Sequence, residues 1–323
     1  MSSRREFITL IGGAAAAWPG VAHAAPPARS VTIGVIAPLS HPAVEGLRKG
    51  FRELGYIEGR DLRLEYRWAE GDAEQYVSVA QELVRFGVDA IATWGTTAAI
   101  GARQATTKLP IVMAAAGDPL AAQLVSSLAR PGGNVTGFSS LATELEMKRL
   151  QLLKEIRRDL QRLGVLSNPT NPAVQIASRA LHEAARSRGV TIQTAELRGN
   201  DFDNAFRELR QARPDAVLVL ADAILHSHAA DIVAFMSVQR LIAMYANREF
   251  VQVGGLLSYG TNYHELFRKA AGYIDRIVNG ANPGDLPVQQ ADRFELAINL
   301  KTAKELGLEL PANVLALADE VIE

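Results

Sequence analysis

The stretch that decides the fold is DAIATWGTTAAIGARQAT, residues 89–106. Its apolar beginning, Asp89 to Thr93, predicts a short buried strand, and the alanine-rich part from Ala98 onward predicts a helix. Trp94-Gly95-Thr96-Thr97 joins them, and two interpretations of this turn remain open. Thr96 can act as the N-cap that such a turn needs. Alternatively, the free backbone N–H groups at the start of the helix form a seat for an anion.

The same alternation of strands and helices continues on both sides of this stretch. In the first half, strands are predicted at 31–37, 61–67 and 110–116, and helices at 42–54 and 73–86. In the second half, strands are predicted at 163–168, 190–197, 215–221 and 241–246, and helices at 172–188, 203–212 and 224–239. A last set follows at 254–260, 262–279 and 294–300. Short apolar strands separated by helices predict parallel sheets with right-handed crossovers.

The second half repeats the order of the first, which predicts two lobes of one architecture. Gly34-Val35 recurs as Gly164-Val165, and residues 109–113 are echoed by residues 240–244. Pro131-Gly132-Gly133-Asn134 is interpreted as a connection between the lobes. The fold class is therefore α/β, with two lobes of parallel sheet joined by hinge crossings. We expect residues 30–138 with about 259–285 in one lobe, and 139–258 with about 286–323 in the other.

Composition places the chain among ordinary globular proteins. Of its 323 residues 48% are hydrophobic and 21% charged, with a formal net charge of −1. The absence of a basic surplus argues against nucleic acid or an acidic membrane as partner. The chain has no cysteine, so disulfides and a lipid-modified N-terminal cysteine are excluded.

The first 24 residues, MSSRREFITLIGGAAAAWPGVAHA, have the pattern of an export signal. A basic start, a weakly apolar middle and Ala22-His23-Ala24 predict cleavage after Ala24. The apolar part is too short for a spanning helix, so no stable membrane insertion is expected. Arg4-Arg5 fits the twin-arginine pattern, and an ordinary secretory signal remains the alternative. An exported chain without an anchor is best retained in the periplasm.

A search for chemistry at the strand ends gives no catalytic constellation. G-x-G-x-x-G, G-x-x-x-x-G-K-[ST] and G-x-S-x-G are all absent, so nucleotide cofactors and the hydrolase elbow are not indicated. His226 and His228 would face apart on a helix, which predicts an exposed face and no metal site. We expect no catalytic residue, no metal and no cofactor.

What the predicted strand ends offer is hydrogen bonding. Open α/β sheets bind ligands beyond the carboxyl ends of their strands. In the first lobe the candidates are Ser40, His41, Trp94, Gly95, Thr96, Thr97, Gly117 and Asp118. In the second lobe and on the last crossing they are Asn168, Asn171, Asp222, Arg248 and Tyr259. Each alone is compatible with a cap, a turn or a surface ion pair; their convergence on one cleft favours ligand binding.

Six segments carry a resemblance to a known family. They are HPAVEGLRKGFRELGYIEGRDLRLEYRWAEGD (41–72), GTTAAIGARQAT (95–106), AAAGDPL (114–120), LARPGGNVTGFSSL (128–141), NREFVQVGGLLSYG (247–260) and FELAINLKTAKELGLELP (294–311). Together they are similar to the ABC-transporter substrate-binding proteins, in the branch that includes the tryptophan and tyrosine binders. The resemblance implies a type I periplasmic-binding fold of two Rossmann-like lobes that close on a small ligand. It also implies a permease and an ATPase as partners.

The resemblance further implies roles for individual residues. Thr96 and Thr97 occupy the turn that usually holds a ligand carboxylate, and Asp222 is placed to meet an amino group. Ser40 and His41 follow the first strand, where family members line the pocket; Trp94 is a stacking wall or plain core. An amino acid, aromatic or branched, is the leading ligand. The alternatives are another solute such as a sugar or nucleobase, the effector lobes of a repressor, and a periplasmic enzyme.

Overall fold

The computed structural model describes residues 30–38, 42–69 and 73–323. The predicted export signal and the candidates Ser40 and His41 lie outside these residues. In chain order the strands are β1 (Val31–Ala37), β2 (Leu62–Trp68), β3 (Ala90–Trp94), β4 (Ile111–Ala116), β5 (Val135–Ser139), β6 (Arg162–Ser167), β7 (Thr191–Glu196), β8 (Ala216–Val219), β9 (Ala243–Tyr245), β10 (Leu257–Thr261), β11 (Gln289–Gln290), β12 (Phe294–Asn299) and β13 (Glu320–Ile322).

The helices alternate with these strands. They are α1 (Glu45–Glu53), α2 (Ala73–Phe86), α3 (Thr96–Ala105), α4 (Ala142–Ile156), α5 (Pro172–Arg186), α6 (Phe202–Ala212), α7 (Ala223–Ser227), α8 (Ala229–Val238), α9 (Arg248–Gln252), α10 (Tyr263–Val278), α11 (Leu300–Leu306) and α12 (Ala312–Leu315). Short 3-10 turns, Pro42–Val44 and Pro283–Asp285, precede α1 and β11. Among the described residues, no helix is long and apolar enough to span a bilayer.

Two separate sheets form within the described residues. The first has the strand order β11-β5-β4-β3-β1-β2, and all its neighbouring strands are parallel. The second has the order β13-β12-β10-β9-β8-β6-β7, in which β12 runs antiparallel to β10. We call the first sheet with α1, α2, α3 and α10 lobe one, and the second sheet with the remaining helices lobe two. The predicted α/β class with two lobes of largely parallel sheet is confirmed.

Side-chain alternation along the strands explains why each sheet is covered on both faces. In β1, Val31, Ile33 and Val35 belong to one buried cluster, together with Phe51 of α1. Ile36 points to the opposite face and joins a second cluster. Apolar residues on both faces exclude water from both sides, as parallel sheets require. Lobe two is built in the same way from its own pair of clusters.

The chain crosses between the lobes in three places, after β5, after β10 and after β11. The crossings are hydrogen-bonded to one another: Thr261 Oγ1 donates to Ser140 O at 3.1 Å, and Ala291 N donates to Ser139 O at 2.8 Å. They therefore run side by side as one hinge.

The observed crossings differ from the sequence interpretation in two respects. Residues 131–134 do not connect the lobes, because β5 follows them and belongs to the first sheet. The strand β5 has only five residues, and the sequence analysis did not recognise it. Leu257–Thr261 pairs within the second sheet, and Gln289–Gln290 pairs with the first, so these crossings lie a few residues later than expected. The exact division of the chain into lobes remains a prediction.

The helix predicted over 224–239 is two helices. α7 ends at Ser227 and α8 begins at Ala229, with His228 between them at φ −105° and ψ 27°. His226 therefore lies in the short helix α7, before this break.

Candidate functional site

The turn between β3 and α3 faces lobe two at the carboxyl edge of the first sheet. Gly95 occupies the N-cap position with a φ of 93°, which a residue with a side chain rarely adopts. Thr96 is therefore the first helical residue, so the alternative interpretation in which Thr96 is the N-cap is wrong. Its buried Oγ1 accepts a hydrogen bond from Gly117 N at 3.0 Å, which ties the ends of β3 and β4 together.

Thr97 is the more accessible hydroxyl of this turn. It is half-buried in the first turn of α3, where backbone N–H groups lack helical partners and the helix dipole is positive. Gly95 has no side chain with which to cap them. The turn can therefore offer a hydroxyl and backbone N–H groups to an anion.

Lobe two places a buried carboxylate opposite this turn. Asp222 Oδ1 accepts hydrogen bonds from Ile224 N at 2.9 Å and Leu225 N at 3.1 Å, so Asp222 caps α7. Asn171 Nδ2 donates to its Oδ2 at 2.8 Å, and Asn168 Nδ2 lies 3.4 Å from both oxygens. The structure thus brings together three predicted residues from two strand ends, those of β6 and β8.

Burial raises the pKa of Asp222 above its ordinary value. The hydrogen bonds from Asn171, Leu225 N, Asn168 and Ile224 N act in the opposite direction, because they favour the charged form. Asn168 and Asn171 are also a turn residue and a helix cap, since Asn168 Oδ1 accepts from Thr170 N and Asn171 Oδ1 from Ala173 N. The turn and cap interpretation of these asparagines is therefore correct, and their role in ligand binding remains a prediction.

Small residues allow the two lobes to approach closely. A Cβ built on Gly95 would lie 3.2 Å from the Cβ of Ala223, and one built on Gly117 would lie 2.7 Å from the Cβ of Ala173. Gly95 and Gly117 follow strands of lobe one, whereas Ala173 and Ala223 begin helices of lobe two. The structure therefore shows the lobes closed on each other.

An aromatic cluster spans the same contact. Trp94 ends β3 in lobe one, and its ring lies 5.2 Å from the ring of His226 in lobe two, at an angle of 83°. Tyr263 and Phe267 of α10 approach Trp94 at 6.0 and 5.9 Å. His226 also stacks on Phe250 at 5.7 Å. Trp94 is thus part of the lobe-one core and at the same time contacts lobe two.

His226 was missed as a member of this site. The sequence predicts an exposed face for it, but the residue is 2% exposed, and its Nε2 lies 3.5 Å from Glu249 Oε2. The prediction was wrong because this face of α7 is covered by rings from other elements, Trp94 at the end of β3 and Phe250 in α9. The sequence signal that could have identified His226 is its position four residues after Asp222, in a short segment that follows a strand. No group of three or more potential metal ligands occurs in the part of the chain that the structure describes.

Tyr263 and Phe267 were missed as well, since they look like ordinary apolar-face residues of an amphipathic helix. Burial raises the pKa of Tyr263, and the charge of Arg149 and hydrogen bonds with Asn247 and Ser140 oppose this shift. Its phenol therefore remains neutral and links the aromatic cluster to the hinge.

Three predicted residues have contacts of another kind. Asp118 Oδ1 accepts from Leu120 N and Ala121 N at 3.2 and 2.9 Å, which is the turn alternative. Arg248 lies 3.7 Å from Glu295 and 3.9 Å from Glu320, with its side chain 39% exposed, as in a surface ion pair. The Tyr259 ring packs on the lobe-two core, 6.3 Å from the ring of Phe294.

A family model described as ABC transporter substrate binding protein matches residues 32–322. A tyrosine-binding protein of Clostridioides difficile strain R20291 is 29% identical over 283 residues, which are 86% of this chain and 81% of the relative. Solved structures at lower identity share the type I periplasmic-binding fold.

Two solved structures bear on the closed arrangement. An ABC domain from Streptococcus pneumonia in complex with L-Trp has a TM-score of 0.81 at 29% identity, covering 90% of this chain and 100% of that one. A ligand-free, open substrate-binding protein from Clostridium difficile has a TM-score of 0.62 at 26% identity, covering 90% and 99%. Of these two structures, the complex with L-Trp has the higher TM-score.

Proposed function

Since this chain belongs to the ABC transporter substrate-binding proteins, we propose that it captures an aromatic amino acid between its lobes and delivers it to an importer. The observation that carries the choice of ligand is the ring cluster across the cleft. Trp94 contributes from lobe one and His226 from lobe two, with Tyr263 and Phe267 beside them. Rings favour edge-to-face and offset contacts with another ring. The names of the tyrosine-binding relative and the L-Trp complex support the same choice.

The polar groups on either side of the cluster suit the two charged ends of an amino acid. The start of α3 with Thr97 would hold the carboxylate, because N–H groups and the helix dipole favour an anion there. Asp222 would hold the ammonium group. Its oxygens already accept hydrogen bonds from Asn171 and backbone N–H groups, which fix its position.

Binding would drive closure because each end of the ligand contacts a different lobe. A ligand shifts an equilibrium between open and closed states only by its difference in affinity for them. A carboxylate on lobe one and an ammonium group on lobe two would be satisfied together only when Gly95 meets Ala223 and Gly117 meets Ala173. The role is binding and delivery, without a catalytic step.

We further propose that the chain works in the periplasm after removal of the export signal at Ala24, with a permease and an ATPase as partners. The division into lobes at the three crossings is part of the same proposal. Residues 1–24 carry the pattern that supports export.

The test is a ligand panel on the mature chain, residues 25–323. Melting temperature is measured with each of the amino acids, several sugars and nucleobases, followed by calorimetric titration of those that respond. L-Trp, L-Tyr or L-Phe is expected to give the largest increase in melting temperature. At a ligand concentration of about 100 times Kd, binding adds about 2.7 kcal/mol to the free energy of unfolding. A response to a sugar or nucleobase, with none to any amino acid, would overturn the ligand class. The Asp215→Asn variant serves as control, because Asp215 lies at the opposite end of β8 and accepts from Arg162 N.

A further inference from the structure

A buried ion pair lies on α4, just after the first crossing between the lobes. Glu146 and Arg149 are one helical turn apart, and their side chains are 0% and 1% exposed. Arg149 Nη1 lies 2.6 Å from Glu146 Oε1. Complete burial distinguishes this pair from the exposed ion pairs of the chain, such as Arg162 with Asp215, where the arginine side chain is 53% exposed.

Each member of the pair also contacts the end of a strand in lobe two. Glu146 Oε1 accepts a hydrogen bond from Ala221 N, beyond β8, at 3.0 Å. Arg149 Nε donates to Tyr259 O in β10 at 2.6 Å, and its Nη2 lies 3.4 Å from Ala246 O beyond β9. The pair therefore bonds to three neighbouring strands at the edge that faces the cleft.

The residues held in this way stand next to the candidate site in the chain. Ala221 directly precedes Asp222, and Ala246 directly precedes Asn247, whose side chain is close enough to Tyr263 to lower the pKa of its phenol. A shift of Ala221 N would move the Asp222 carboxylate, since one peptide unit separates them. The contacts made by Glu146 are thus transmitted to the cleft through the backbone.

Stability alone does not explain two fully buried charges. Removing both charges from water costs free energy that their mutual attraction repays only in part, so apolar replacement of a buried pair is often neutral or stabilising. Directional hydrogen bonds to three strands are what apolar side chains cannot supply. We infer that Glu146 and Arg149 are positioning residues, which fix the strand ends of lobe two so that Asp222 is correctly placed for the ligand. This inference rests on the proposed function.

The test compares a single variant with a double variant. Arg149→Met leaves Glu146 as an unpaired buried charge, so both stability and affinity for L-Trp or L-Tyr are expected to fall, affinity by at least about tenfold. Glu146→Leu with Arg149→Met removes both charges, so the melting temperature should recover toward the parent value. The affinity should stay at least about tenfold weaker, because the strand ends are no longer held. Arg162→Met removes an arginine at the opposite edge of the sheet and should bind as the parent does.

Hydrogen exchange of the ligand-free protein gives a second readout that needs no ligand. In the double variant, exchange is expected to quicken in peptides covering 220–226 and 246–250, and to stay unchanged in lobe one. If no amino acid binds the parent, the proposed function fails, while this measurement still decides whether the pair fixes the strand ends and Asp222. Should the double variant not fold, Glu146→Gln keeps the shape of the side chain and is measured in the same way.

Recovery of both stability and affinity in the double variant would overturn the inference, because the pair would then serve packing alone. Unchanged exchange at 220–226 and 246–250 would overturn it as well. Equal losses of affinity in Arg162→Met and Arg149→Met would show a general loosening of lobe two, which also contradicts a positioning role.

Discussion

Gly117 in lobe one and Ala173 in lobe two meet so closely that no side chain fits between them. A Cβ built on Gly117 would lie 2.7 Å from the Cβ of Ala173, closer than two such carbons approach in proteins. Gly117 also donates its N–H to Thr96 Oγ1. The closed state therefore requires glycine at this position, while an open state would tolerate a methyl group.

Gly117→Ala is expected to weaken ligand binding and to leave the ligand-free protein close to its parent stability. Overpacking a close contact costs about 1–3 kcal/mol, which corresponds to roughly five- to 150-fold in Kd. Calorimetric titration measures the loss. Adding Ala173→Gly should restore affinity, because it removes the methyl group that collides. Gly272→Ala on α10, where a Cβ meets nothing within 4 Å, is the matched control. Failure of the double variant to recover affinity would contradict the steric explanation.

Thr97→Val is expected to reduce affinity by about 1.5–3 kcal/mol, roughly ten- to 150-fold, because a charged carboxylate would lose a hydroxyl donor. Folding stability should change by far less, since Thr97 is half-buried. Thr96→Val removes the acceptor for Gly117 N and should also lower the melting temperature. Titration and thermal unfolding of both variants separate these effects. Parent-like affinity in Thr97→Val would leave its hydroxyl without a role in binding.

As the pH is lowered, affinity for an amino acid is expected to fall. The pH at which it begins to fall should be higher than in a binding site whose aspartate has an ordinary pKa. Burial raises the pKa of Asp222, and only the carboxylate attracts an ammonium group. Affinity is thus constant above the raised pKa and declines as the pH falls through it. Titrations over a pH series should show this decline in the parent and in Asp215→Asn. In Asp222→Asn affinity should be low and its dependence on pH lost. If affinity still declines with falling pH in Asp222→Asn, a group other than Asp222 causes the pH dependence.

The fluorescence of Trp94 is expected to report closure. Its ring lies edge-on to His226 of the other lobe, so opening changes its surroundings. Trp68 is 40% exposed on β2, and Trp68→Phe leaves Trp94 as the remaining tryptophan of the mature chain. Titration with L-Tyr or L-Phe, observed by excitation at wavelengths where tryptophan absorbs alone, should change the emission. In the complementary variant Trp94→Phe, the emission of Trp68 should change little on titration. A change of emission in Trp94→Phe, with none in Trp68→Phe, would contradict the assignment of the signal to Trp94.

The sequence by itself determined the elements and their alternation. The predicted helix 73–86 is α2, and the strand predicted at 31–37 is β1, because local periodicity and the glycine at position 87 depend only on nearby residues. The same holds for the two-lobe architecture, since each half repeats one order of strands and helices. Hydrogen-bonding residues at the ends of parallel strands were also recognisable, because those ends share one edge of a sheet. On that basis Asp222, Asn168 and Asn171 were predicted together.

Only the tertiary structure decided which of these residues meet, and across which contact. Trp94 and His226 are far apart in the chain, and their rings meet only because the two lobes are in contact. Arg248 and Asp118 are of residue types that bind ligands, and only the structure shows that Arg248 pairs with Glu295 and that Asp118 accepts from a turn N–H. Glu146 and Arg149 read as two charges on a helix until the strand ends around them are known. Periodicity describes one element at a time, whereas a site is formed by distances between elements that the chain brings together only on folding.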